Sequence, residues 1–221
     1  MTHLKKNFIL FILFLCSCSS IDQQRISPAY FEAFGAIKDY FSESDNELIT
    51  PQLISNIPYA SLKLRIGKGK PGLLILEQKI QEKEIWISAD KVYLVIENGR
   101  IVQTKGLFNN LTSYISQRDI VKSALKNELT ESTVYYSYDE PLLSNLAVKV
   151  HLKKVGEEEI NLINKKIKLN LIEEQITNSY INWKAKNYFW VDDEGFIWKS
   201  IQSISPKLPP FEFEVTKKPA D

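Results

Sequence analysis

From residue 60 to residue 216 the chain keeps returning to a period of two, and this pattern constrains its fold more than any other feature. Ala60, Leu62, Leu64 and Ile66 are apolar, while Ser61, Lys63 and Arg65 between them are polar or charged. Alternation of this kind gives a strand one dry face and one wet face, because successive side chains point to opposite sides of the pleat. The same pattern, with interruptions, marks 73–80, 84–88, 92–97, 101–105, 134–138, 146–154, 160–163, 167–176, 183–191, 196–204 and 211–216. Half-wet strands do not suit a parallel sheet sandwiched between helices; they suit antiparallel sheets with one exposed face. The connections agree. Asn98-Gly99 is the dipeptide that supplies the positive φ angles of a tight hairpin turn, and Asp192-Asp193-Glu194-Gly195 separates two further alternating segments. Gly67-Lys68-Gly69-Lys70 reads as a basic hairpin turn; it has neither the spacing of a phosphate-binding loop nor the helix that must follow one. The expected fold is mainly β: a curved antiparallel sheet or half-barrel of about ten strands.

Two segments depart from this period. Ser27-Pro28 resembles an N-cap followed by proline in the first turn, and Tyr30, Phe31, Phe34, Ile37 and Phe41 then recur at helical spacing, so 27–42 is expected to form an amphipathic N-terminal helix. Alternation is also lost over 107–131, where 116–129 is read as a central helix. Glu157-Glu158-Glu159 is read as a solvated turn.

The first eighteen residues are of another kind. Lys5 and Lys6 precede eight consecutive apolar residues, 8–15. That run is too short to cross a hydrocarbon core, which takes about 20 residues, and has the length of a signal-peptide core. The sequence that follows, Leu15-Cys16-Ser17-Cys18, resembles the lipobox of bacterial lipoproteins. The resemblance implies cleavage before Cys18, diacylglyceryl attachment to its sulfur and a further acyl chain, such as palmitate, on the new amino terminus. Cys16 fits less well, because Leu15 would then precede the cut where a small residue belongs. A plain secretory signal would leave an exported chain with an unpaired thiol. Ser19, in place of the Asp that retains lipoproteins at the inner membrane in the usual sorting rule, implies the outer membrane. The expected organisation is a lipoprotein signal peptide over 1–17, a lipidated tether over 18–26 and a single β-rich periplasmic domain over 27–221.

Composition excludes several functions. The formal net charge is +1, and loss of Lys5 and Lys6 takes it to about −1, too balanced for a nucleic-acid partner. With Cys16 and Cys18 assigned to the leader and anchor, His151 is the one imidazole left beyond the leader. Zinc, haem and iron–sulfur centres and a Ser–His–Asp triad need more than that. No metal and no cofactor is expected. Asp90 and Asp192 can be imagined as a glycosidase pair, which requires carboxyls about 5 to 9.5 Å apart, but an aspartate just after a strand is commonly a turn residue bonding its own backbone. Trp86, Trp190 and Trp198 have faces that could stack on sugar rings or simply fill a core. Arg100, like Arg65, could pair with Asp90 or Asp192. Trp86, Asp90, Arg100, Trp190 and Asp192 are the candidate binding residues, with Trp190 expected to face the core. None is assigned a catalytic role.

Three blocks then resemble the YjbF/GfcB family of outer-membrane lipoproteins, associated with exopolysaccharide and group 4 capsule genes. They are Pro58-Tyr59-Ala60-Ser61-Leu62-Lys63-Leu64-Arg65-Ile66-Gly67; Ile85-Trp86-Ile87-Ser88-Ala89-Asp90 with Asn98-Gly99-Arg100 through Leu107; and Asn187-Tyr188-Phe189-Trp190-Val191-Asp192 through Gly195, Ser200 and Gln202. The resemblance implies a β-rich body facing the periplasm and a role in polysaccharide production or export, with no catalytic residues to carry over. The third block also resembles, more loosely, the hairpin of lipoprotein-carrier half-barrels. The leading expectation is a non-enzymatic outer-membrane lipoprotein that supports exopolysaccharide or capsule assembly by binding a glycan or an export-machinery protein. The alternatives are a half-barrel carrier of lipid or acylated protein and, third, a polysaccharide-acting enzyme. A continuous apolar cavity would favour the carrier, an open aromatic groove the glycan, and converging carboxylates the enzyme.

Overall fold

The computed structural model describes residues 49–127, 131–163 and 165–220. The expected signal peptide, Cys18, the tether and the 27–42 helix lie outside the described residues. Twelve strands make one antiparallel sheet: β1 Ser61–Ile66, β2 Gly72–Ile80, β3 Lys83–Ser88, β4 Tyr93–Glu97, β5 Arg100–Lys105, β6 Leu111–Ile115, β7 Glu131–Tyr138, β8 Leu143–Leu162, β9 Lys165–Asn178, β10 Trp183–Val191, β11 Ile197–Gln202 and β12 Phe211–Lys217. Each strand lies beside its predecessor, except that β5 and β6 end the hydrogen-bonded order and β1 pairs with β12. The two ends meet, and the backbone N–H of Leu111 on β6 donates to Thr104 Oγ1 on β5 at 2.9 Å. The sheet thus curls into a nearly closed up-and-down barrel, which hides the edges an open sheet would expose.

A meander of this kind sends alternate connections to opposite ends. One end, the mouth, carries the β2–β3, β4–β5, β6–β7, β8–β9 and β10–β11 connections. The other, the base, carries β1–β2, β3–β4, β5–β6, β7–β8, β9–β10 and β11–β12. A short helix, α2 (Ile120–Leu125), sits in the β6–β7 connection and packs against β8 and β9. Asp119 caps it by accepting from Lys122 N at 2.9 Å. Ile120, Val121 and Ala124 enter the barrel core, so α2 plugs part of the mouth. Beneath it the interior is filled by side chains, among them Leu62, Trp86, Leu94, Val148, Ile172, Phe189 and Phe213, as expected where inward residues pack across a small barrel.

The outer face is partly covered too. Helix α1 (Pro51–Asn56), capped by Thr50 with Pro51 in its first turn, lays Leu53, Ile54 and Ile57 against Leu73, Ile75 and Ile87. On β2 and β3 the inward residues are Leu74 and Trp86. With both faces dry, residues 73–76 are apolar without alternation. A second cover comes from β8 and β9, whose mutual pairing runs on to Leu162↔Lys165 although β9 leaves β10 at Asn170↔Val191. The protruding ribbon folds over the outside of the barrel: Trp190 Nε1 donates to Glu158 Oε2 at 2.6 Å, and Ile163 N donates to Glu214 Oε1 on β12 at 2.7 Å.

Several expectations need correction. Strand β6 went unread because a register shift between Leu111 and Ser113 breaks its alternation. Helix α1 is too short to show a helical period. The central helix is confined to six residues of the expected 116–129 span. The segments 146–154 and 160–163 are one strand, β8, bent at a register shift between Lys154 and Gly156. Glu157, Glu158 and Glu159 are therefore strand residues, paired with Lys168, Trp190 and Lys166. Trp190 does not face the barrel core. Trp183, Asn187 and Phe189 share the inward parity of β10, so Trp190 is on the outer face, buried beneath the β8–β9 ribbon.

Candidate functional site

The mouth gathers most of the residues singled out in the sequence. Trp86 lies inside the barrel, 1% exposed, and its indole donates to Glu84 Oε2 at 3.1 Å. Burial pushes the Glu84 carboxyl above the usual carboxylate range. Arg100 opens β5 just after the Asn98-Gly99 turn, where both residues have positive φ. Its side chain points inward and is 5% exposed. Its partner is neither Asp90 nor Asp192 but Glu174 of β9, fully buried, in a two-pronged pair: Nη1 to Oε2 at 3.0 Å and Nη2 to Oε1 at 2.8 Å. Arg65 likewise pairs with Glu212 of β12.

Burying such a pair costs several kcal/mol per ion unless the remaining hydrogen-bonding capacity is used. Here it is used. Asn187, directly opposite Glu174 on β10, donates Nδ2 to Glu174 Oε2 at 2.7 Å. The guanidinium carbon lies 5.0 Å from the centre of the Tyr114 ring and 4.9 Å from that of Phe189, within cation–π range. Burial pulls the Arg100 pKa down, but the Glu174 carboxylate together with Tyr114 and Tyr136 more than offsets this and holds it above the usual arginine range. Burial pushes the Tyr114 hydroxyl up to about 12. Gln202 continues the network, accepting from Ile101 N at 3.1 Å and donating to Gly99 O at 2.9 Å. Glu174 was missed in the sequence, and Asn187 and Gln202 entered only through the family resemblance, with no site role. The available signal was parity: Glu174 stands between Ile172 and Ile176 on the inward side of β9.

Asp192 is a turn residue at the mouth. Its Oδ1 accepts from Phe196 N at 2.8 Å and Glu194 N at 3.1 Å, and its Oδ2 from Trp198 Nε1 at 2.9 Å. Asp90 is exposed in the β3–β4 turn at the base. A strand of six residues spans about 20 Å, so the two carboxylates sit at opposite ends of the barrel, too far apart for a glycosidase pair. His151 is on the outer surface, 3.6 Å from Glu131.

Three open cavities surround α2 and the β4–β5 turn. One of about 200 Å³ has Trp86, Ile96, Phe196 and Phe213 in its walls and Lys79, Glu82 and Lys218 at its edge. The second, of about 370 Å³, lies over Arg100 and Tyr114 and is edged by Asn98, Arg118 and Asp119. The third, of about 270 Å³, lies among Lys122, Lys126, Lys154, Asn170 and Glu194. The tryptophan rings are buried or are covered on one side. Lys165 Nζ lies 3.2 Å from the centre of the Trp198 ring, Lys199 Nζ is 5.1 Å from that of Trp190, and Trp183 is buried against Tyr136. Among the described residues no group of His, Cys, Asp and Glu is placed to hold a metal ion.

The molecule is thus a nearly closed, core-filled antiparallel barrel with a helix in its mouth. Residues 34–215 match the family described as "Group 4 capsule polysaccharide lipoprotein gfcB, YjbF", and the chain belongs to that family. It is similar to the "uncharacterized lipoprotein GfcB" of Escherichia coli K12, 27% identical over 94% of this chain and 95% of the relative. It is also similar to the "uncharacterized lipoprotein YjbF" of the same organism, 22% identical over 95% of each chain. Among solved structures, the hypothetical lipoprotein YmcC of E. coli K12 superposes with a TM-score of 0.71 at 24% identity, covering 85% of this chain and 96% of that one. That likeness shows the fold.

Proposed function

We propose that the protein supports capsule or exopolysaccharide assembly or export as a non-catalytic binding module, anchored to the periplasmic face of the outer membrane through acylated Cys18. Its working surface is the mouth, where it engages a polar chain: the glycan itself or an export-machinery protein. The observation that carries this reading is the gathering of three shallow cavities with charged edges at one end of a barrel whose interior is full, against one at the base beside Tyr180 and one on the outer wall beside His151. A carrier of acyl chains needs a continuous apolar space, and the core side chains occupy it. An enzyme needs converging carboxylates; Glu174 is held by Arg100 and Asp192 by its own turn. The covered tryptophan faces favour recognition through charge and hydrogen bonds over ring stacking.

The test is binding of the purified protein to the organism's own polysaccharide and, separately, crosslinking to neighbours in the cell. Arg118 and Lys122 are exposed at the mouth, so the double charge reversal Arg118→Glu with Lys122→Glu should leave the fold intact. It is expected to abolish whichever interaction the wild type shows. Undiminished binding by that variant, measured on both partners, contradicts the assignment of the mouth.

A further inference from the structure

The base leaves its apolar side chains further into water than the mouth does, where Ile80 and Ile115 are 49% and 50% exposed. Phe108, Leu142 and Tyr180 are 67%, 83% and 87% exposed. They stand in the β5–β6, β7–β8 and β9–β10 connections, three neighbouring loops at one end of the barrel. The first two loops are tied together, with Asn109 Nδ2 donating to Glu140 O at 2.6 Å and Asn110 N donating to Asp139 Oδ1 at 2.7 Å. The third is fixed at its root by Asn178 Nδ2 donating to Ala147 O at 2.7 Å. Single exposed apolar residues are ordinary. Three large ones at the tips of adjacent, hydrogen-bonded loops are a feature that water alone does not explain.

We propose that the base rests on the phospholipid surface to which the chain is tethered, with Phe108, Leu142 and Tyr180 entering the headgroup region. Aromatic and aliphatic tips suit that layer, where an apolar body and a polar end are both accommodated. Projecting loop tips suit a soft bilayer better than a protein partner, which needs a complementary face of about 800 Å² on each side. Charge agrees: the exposed lysines of this end, Lys68, Lys70, Lys91, Lys105 and Lys207, outnumber the carboxylates of Asp90, Asp139 and Glu140. Lysines near an anionic surface add to its attraction. Reach also permits it, because an extended tether on either side of the expected 27–42 helix gives residues 19–48 a span of roughly 70 Å, several times the length of β1. The orientation rests on the lipid anchor of the preceding reading, and it turns the mouth away from the membrane.

The experiment uses the acylated full-length mature protein, purified from membranes and reconstituted on vesicles of phosphatidylethanolamine and phosphatidylglycerol. With Cys18 acylated and no other cysteine beyond it, Phe108→Cys, Leu142→Cys, Tyr180→Cys and, at the mouth, Glu194→Cys each carry one environment-sensitive thiol label. The expected result is a blue shift and quenching by spin-labelled lipid at the three base positions and neither at 194. Protein that sediments with the vesicles while its base labels stay in water, or are quenched no more than the label at 194, overturns this proposal alone. Protein that stays in the supernatant overturns the anchor and the orientation together.

Discussion

The two ends of the barrel are both built from strand connections, yet they handle polarity in opposite ways. At the mouth, charge is drawn inward: Arg100 and Glu174 pair inside the barrel, and Asp192 folds its carboxylate over its own turn. At the base, polar groups clamp the loops to each other through Asn109, Asn110 and Asp139, while apolar side chains are left outside. The contrast teaches that stability and surface chemistry are separable here. Arg100, Glu174 and Asp192 should be costly to change because they hold strands and a turn together; base tips should be cheap because they hold nothing.

The sharpest break of that contrast is at the buried pair. Glu174→Ala leaves Arg100 charged and unpaired and should destabilise by about 3–5 kcal/mol, read as a lowered urea midpoint. A loss below about 1 kcal/mol would mean that water reaches the pair and that the mouth is no different from the base.

Next come the two mouth glycines. Gly99 has φ +70°, and a Cβ there would lie 2.4 Å from Ile197 Cδ1 and 2.5 Å from its Cβ; Gly195 has φ +94° but nothing closer than Lys122 Cε at 4.0 Å. Gly99→Ala should cost about 1–3 kcal/mol through strain and displacement of Ile197, and Gly195→Ala about 1 kcal/mol through strain alone. Equal losses would show that the contact with Ile197 is relieved freely. Asp192→Ala removes the acceptor for two turn amides and the Trp198 indole, and should cost about 1–2 kcal/mol.

At the base, Asn110 donates its side-chain amide and its backbone N–H to Asp139, each at 2.7 Å, which holds the Asp139 carboxyl below the usual carboxylate range. A folded-state pKa below the unfolded one gives stabilisation that is complete above the ordinary value of about 3.9 and is lost as pH falls through the depressed value. Amide exchange at Asn110, corrected for its intrinsic pH dependence, should therefore accelerate in acid, with the acid step missing in Asp139→Asn. The smallest effect is expected at the tips: Phe108→Ser, Leu142→Ser and Tyr180→Ser should each shift stability by no more than about 0.5 kcal/mol, as thermal melts would show.

Much of this architecture was legible as period and punctuation. Strand β10 was read from 183 to 191 with its observed bounds, and Asn98-Gly99 forms a turn between β4 and β5. What escaped had physical causes. A bulge flips parity within β6, so its apolar residues no longer alternate. Strand β8 bends at Gly156 and continues, where a glycine beside three glutamates resembles a turn. Outer covers erase the wet face: α1 over Leu73 and Ile75, and the β8–β9 ribbon over Trp190, made outward residues look like core. The site was legible in part. Arg100 and Asp192 stand at the mouth and Trp86 in the barrel beneath it, each with its own partners, and the partner of Arg100 lies 74 residues away on β9, a distance that no local pattern reports. Asp90 was grouped with them by residue type alone, and strand direction sends it to the base.

The claim that the mouth is the working end is tested most directly by surface polysaccharide in the native organism. Three strains are compared: a deletion, the deletion carrying Arg118→Glu with Lys122→Glu, and the deletion carrying Phe108→Ser, Leu142→Ser and Tyr180→Ser together, with protein amounts matched by immunoblot. The account predicts that the mouth variant falls to the level of the deletion while the base variant, still held by its anchor, keeps most of its polysaccharide. Wild-type polysaccharide in the mouth variant would contradict it.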